Sequence, residues 1–152
     1  MQQVELTIDK AEIFKTVESL LWKYGKTIDS DANYRQVYNV HSEHGDNAVD
    51  NRVLDDSWKA RRVEVVAVMK DFVVETESDA TTDDYTITLQ MRSRWAGNPD
   101  TLKQCVEAYI VDAMMTDWLN VTAPSEQPMY ANRLTADTLA VKTEIYTKGE
   151  PI

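Results

Sequence analysis

YTITLQMR, residues 85–92, decides the fold. Tyr85, Ile87, Leu89 and Met91 fall on one side of this stretch; Thr86, Thr88, Gln90 and Arg92 fall on the other. A period of two, with one apolar side and one polar side, marks a half-buried strand. A lone strand leaves its backbone N–H and C=O groups unmet, so it needs a neighbour. VELTI, residues 4–8, has the same alternation and is the natural partner. The two strands are expected to pair in a small antiparallel sheet, bringing the start of the chain against its middle.

Helical patterns occupy most of the remainder. Asp9 opens a D-K-A-E segment in which Asp9 caps free amides and Glu12 reaches back, the capping-box arrangement. Ile13, Val17, Leu20, Leu21 and Tyr24 then recur at helical spacing, and Gly25 is suited to close the helix. A second stripe runs through Leu54, Trp58, Val65, Met69, Phe72 and Val73, with Asp50 or Asn51 as its cap. The many valines from Val63 to Val74 favour strand, but the 3.6-residue period predicts helix to about Phe72 and a polar turn over TESDATTDD. A third helix is expected over about 100–121, with Leu102, Cys105, Val106, Tyr109, Ile110, Ala113, Met114 and Trp118 forming a face broad enough for a central position. Pro124 ends it. A fourth, over about 126–147, tolerates Pro128 in its first turn and turns Tyr130, Leu134, Val141 and Ile145 inward. The short link makes the last two helices an antiparallel hairpin. The predicted class is α+β and mainly helical: about four helices in a bundle-like arrangement, with a sheet that includes strands near 4–8 and 85–92.

The 152 residues are read as a single domain, since neither a repeat nor a low-complexity linker divides them. The pattern lapses only over about 26–50, expected to be a long irregular connection. One cysteine, Cys105, excludes an intramolecular disulfide framework. The first residues lack the basic and apolar regions of a signal peptide, and the apolar segments are broken by charge well short of a membrane span. These features point to a soluble protein made in the cytoplasm. The net charge of −10 argues against a surface that grips nucleic-acid phosphates, because such binding needs clustered cations.

Candidate chemistry is sparse. HSEHGDNAVDN, residues 41–51, holds both histidines, His41 and His44, beside Glu43, Asp46 and Asp50. Imidazoles and carboxylates are good zinc ligands, yet the spacing matches neither H-E-x-x-H nor a calcium loop. An acidic solvated loop is the expectation, and a metal-dependent enzyme built on His41 and His44 is the rival. Cys105 lies on an apolar stripe, where a small thiol packs well, rather than beside a base. Asp55–Asp56 and Asp83–Asp84 resemble catalytic pairs only superficially, because adjacent side chains on a helix diverge. The chain contains no phosphate-binding glycine loop and no nucleophile elbow. No cofactor, metal site or catalytic residue is therefore assigned. Trp95, in MRSRWAGNP beside Arg92 and Arg94, has two readings: an interface anchor of the Trp–Arg kind, or a cap on the sheet end.

Taken together, VELTI with its capped helix, DNRVLDDSWKARRVEVVAVMKDFV, YTITLQMR and the closing VEAYIVDAMMTDWLNVTAPSEQPMYANRLTADTLAVKTEIYTKGEP resemble a family of small proteins encoded among the structural genes of tailed phages and prophages. In that pattern a helix ends in Trp-Leu, a Pro-containing turn follows, and a Tyr- and Leu-marked helix runs to a charged Gly or Pro end. The resemblance implies a non-enzymatic virion component of the neck or tail, such as a head-tail connector, that assembles with other virion proteins or with copies of itself in a ring. Within such an assembly the basic residues Arg61, Arg62, Arg92 and Arg94, with Trp95, would meet acidic surfaces across the contact, making assembly salt-dependent. The competing expectation is a small acidic binding or inhibitor protein that covers a basic site on a partner.

Overall fold

A computed structural model of the chain describes residues 2–27, 48–78, 84–122 and 124–148. In chain order these residues form β1 (Gln2–Ile8), α1 (Lys10–Thr27), α2 (Ala48–Val68), β2 (Val73–Ser78), β3 (Tyr85–Met91), α3 (Pro99–Thr122), a 3-10 turn (Pro124–Glu126) and α4 (Gln127–Ile145). The protein is α+β and mainly helical, with four helices and one three-stranded sheet among the described residues.

The sheet follows from the alternation. β1 and β3 pair antiparallel with Val4 opposite Leu89 and Leu6 opposite Ile87, so both apolar sets fall on one side. Every member of that set, from Val4, Leu6 and Ile8 to Tyr85, Ile87, Leu89 and Met91, is buried. Full burial of such a side chain is worth about 1.5–3 kcal/mol, which fixes the register, since a one-residue slip would turn all of them outward.

A third strand corrects the expectation of a polar turn. β2 pairs antiparallel with the other edge of β3, giving the order β1-β3-β2. Accordingly α2 stops at Val68 rather than near Phe72, and hydrogen-bonded turns at residues 69–72 lead into the strand. β2 escapes a pattern search because only Val73 is even half-buried. A bulge between Val73 and Glu75 breaks the register as well. Two helix ends also differ from expectation: α1 runs through Gly25 to Thr27, and α2 starts at Ala48, before Asp50. The rest of the expected irregular connection, residues 28–47, lies outside the described residues.

At the start of α1, Asp9 Oδ1 accepts from the Ala11 and Glu12 amides at 2.9 and 3.3 Å. Asp84 caps the same end from β3's entry, accepting the Lys10 amide at 3.0 Å. Two orphan N-terminal donor positions are thus served by side chains and a third from across the sheet.

α3 is the central helix. Leu102, Val106, Tyr109, Ile110, Ala113, Met114, Met115, Trp118 and Leu119 are buried around nearly its whole circumference. It packs against α4 most extensively, then against α2, α1 and β1. α4 turns Tyr130, Val141 and Ile145 toward it.

Candidate interaction surface

Two polar seams flank α3, and both draw on residues that pattern reading placed elsewhere. On the α2 side, Arg61 grips Asp117 with two bonds, Nε to Oδ2 at 2.9 Å and Nη2 to Oδ1 at 2.6 Å. Ser57 Oγ donates to the same Oδ2 at 2.6 Å. Arg61 Nη1 reaches both carboxylate oxygens of Glu64, one turn along, at 2.9 Å. Tyr109, buried on α3, donates its hydroxyl to Glu64. The two helices are therefore stapled by a network of opposite charges in which the planar guanidinium meets a carboxylate fork to fork. The hydrogen bond to Asp117 chiefly holds the Arg61 guanidinium protonated, against the opposing effect of burial. Burial, and then the hydrogen bond to Glu64, push the Tyr109 phenol up.

On the α4 side the arrangement is different. Asp112 of α3 and Asp137 of α4 meet as two carboxyl groups, and Asp137 Oδ2 is shielded from solvent with no hydrogen-bond partner among the described residues. Burial first, then the hydrogen bond and charge of Asp137, push Asp112 up to about 7, while Arg133 opposes the rise. Two carboxylates in one half-buried site cannot both ionise cheaply, so Asp112 keeps its proton well above the usual carboxylate range. Burial also raises the Cys105 thiol, and the charges of Glu144 and Asp137 add to the effect. Cys105 is half-buried and packs against the core. A raised thiol is a poor nucleophile, in line with its expected packing role.

The five residues expected at an interface fare unevenly. Arg61 is engaged inside the fold, as described. Arg62 lies over the rings of Trp58 and Tyr85, at 5.6 and 4.8 Å from their centroids, and donates to Ser78 Oγ at 3.3 Å, tying α2 to two strands. Arg92 sits 5.3 Å from the centroids of both Phe72 and Tyr146, which themselves meet edge to face. Trp95 is half-buried against the core, and its Nε1 donates to the Glu144 carbonyl near the end of α4 at 2.9 Å. It also bridges to Lys148, and Ala96 N donates to the Thr147 carbonyl at 3.0 Å. These contacts seat the indole over the end of α4. Gly97 makes room for this: a Cβ there would stand 2.6 Å from the indole. Next along, Glu144 Oε1 accepts the Asn98 amide at 2.7 Å, and Asn98 Oδ1 caps α3 through the Asp100 amide at 2.8 Å. Arg94 is exposed at the surface of this turn.

The remaining candidates are settled more simply. Asp55 pairs with Lys10 at 3.4 Å, and Asp84 caps α1, so neither belongs to a carboxylate dyad. His41 and His44 lie outside the described residues; among the described residues no group of three His, Cys, Asp or Glu side chains is placed to hold a metal ion. No described helix is long and apolar enough to cross a membrane. What the surface offers instead is large apolar side chains in the open: Val63 at 57% exposure, Val74 at 60%, Leu139 at 65%, with Met129 and Tyr146 less so.

No family model matches this chain, and neither the curated proteins nor the solved structures include a match to it.

Proposed function

We propose that this chain is a non-enzymatic assembly component of a tailed phage or prophage particle, of the neck, tail or head-tail connector kind, acting through protein–protein contacts. The observation that carries the contact-based reading is the set of exposed large apolar side chains, Leu139, Val74 and Val63 foremost. A partner that covers side chains of this size removes apolar surface from water, which favours association. The particle setting rests on the sequence resemblance carried by the closing 106–151 segment and the strand at 85–92.

Peptide mass spectrometry of purified particles from the encoding phage or prophage tests the reading. The chain is expected among the virion proteins in a fixed ratio to the tail or portal components. Complete particles that lack it would refute the assignment. A second reading, a small acidic inhibitor, is favoured by the outer side of the sheet, which carries Glu5, Glu75 and Glu77. It predicts a tight one-to-one complex with a basic protein instead of particle incorporation.

A further inference from the structure

Charge is distributed unevenly over this acidic molecule. The three strands, QQVELTI, VVETES and YTITLQM, contain no basic residue at all. On the outer side of the sheet Glu5 and Glu75 flank Thr88 from the two neighbouring strands, and Glu77 stands beside Thr86. Glu5, Glu75 and Glu77 are exposed, as is Val74 at the bulge. α4 is the opposite case. Both of its acids, Asp137 and Glu144, are half-buried and engaged inward, on Asp112 and the Asn98 amide. Its outward side carries Met129, Ala136, Leu139 and Ala140, edged by the exposed cations Arg133 and Lys142. In a chain of net charge −10, the outer side of this helix is therefore apolar with a positive margin.

We propose that the outer side of α4 docks on the acidic outer side of the sheet of a second copy of this chain. Arg133 and Lys142 would face Glu5, Glu75 and Glu77, while Leu139 and Met129 would cover Val74 and the methyl groups of the outer threonines. Charge complementarity selects the occupant: the helix needs an acidic surface with apolar relief, and the chain itself supplies one. The two surfaces cannot meet within one molecule, because α4 faces α3 with its inner side and the sheet faces the core with its own. The contact is thus head to tail, and such contacts build either a closed ring or an open chain.

This inference deepens the assembly reading and rests on it, but the two fail separately. Incorporation into particles without self-association would remove only the head-to-tail contact. Sedimentation velocity over a dilution series provides the test, with the full chain in three forms: unaltered, Leu139→Glu/Lys142→Glu, and Glu75→Lys/Glu77→Lys. All four positions are exposed, and circular dichroism checks that each variant folds. The unaltered chain is expected to associate increasingly with concentration and less as salt rises. Each variant alone should associate at least about tenfold more weakly, a loss of roughly 1.4 kcal/mol. Mixing equal amounts of the two variants should restore association, since each retains one intact surface of the pair. A monomer at every concentration, a folded variant that associates like the unaltered chain, or a mixture that stays monomeric would each overturn the proposal.

Discussion

α3 holds its two neighbours in different ways. Against α2 it uses opposite charges: Asp117 meets Arg61 in a two-pronged pair, and Tyr109 and Ser57 complete the network. Against α4 it sets two acids together, Asp112 and Asp137, with burial and then its neighbour pushing the Asp112 carboxyl up to about 7. Both seams are half-buried beside the core; the first pairs its polar groups, whereas Asp137 Oδ2 of the second has no hydrogen-bond partner among the described residues. They differ in what they ask of the solvent. The first is complete over the whole physiological pH range, because the guanidinium never gives up its proton there. The second is complete only while a proton is available. One helix can therefore carry a pH-indifferent staple on one side and a pH-dependent one on the other.

Removing one charge from the opposite-charge seam should have the largest effect. Asp117→Ala leaves Arg61 partly buried without its main partner, and unfolding by urea is expected to show a loss of about 2–3 kcal/mol. A loss below about 0.5 kcal/mol would mean that the pair is no more than a surface contact. Tyr109→Phe deletes a single hydrogen bond while keeping the ring, for an expected cost of about 1 kcal/mol.

The like-charge seam should respond in the opposite direction. Asp112 binds its proton more tightly in the folded chain, about 7 against 3.8, so the folded state holds extra protons between those values. Stability contributed there is fully present below 3.8 and is lost as pH rises through about 7. Asp112→Asn, which keeps a donor for Asp137, should therefore stabilise the protein above that range by roughly 0.5–1 kcal/mol after allowance for solvent screening, and should flatten the pH dependence. Thermal melts of both proteins from acid to mild alkali check this; parallel curves would dissolve the contrast between the seams. The smallest change is expected at the exposed Lys10–Asp55 pair, where Asp55→Ala should shift stability by less than about 0.5 kcal/mol in the same melts.

These seams also mark where the sequence stops being readable. Local periodicity exposed the β1–β3 pair, the four helices and the inward stripe of each, since those patterns need only neighbours a few residues apart. β2 stayed hidden because an exposed edge strand has no buried alternation to display, and the valines around it fitted a helix equally well. Arg61 looked like a free cation because its partner Asp117 lies far away in sequence, and no spacing rule connects them. Asp112 did leave a trace, as a lone acid set between Val111 and Ala113 within an apolar face. A charged residue in such a position calls for a partner, though only the folded hairpin shows that the partner is another acid. Trp95 gives no sign in the sequence of its bond to a carbonyl at the end of α4, again a contact between distant segments.

If α4 and the sheet dock head to tail, the polar seams hold helices together and the outer surfaces bind. Sedimentation of Asp117→Ala beside Leu139→Glu/Lys142→Glu, under conditions where both are folded, separates the two roles. The seam variant, though less stable, is expected to associate like the unaltered chain; the surface variant, though equally stable, is not. Equal association of all three, or weakened association in the seam variant alone, would contradict head-to-tail docking.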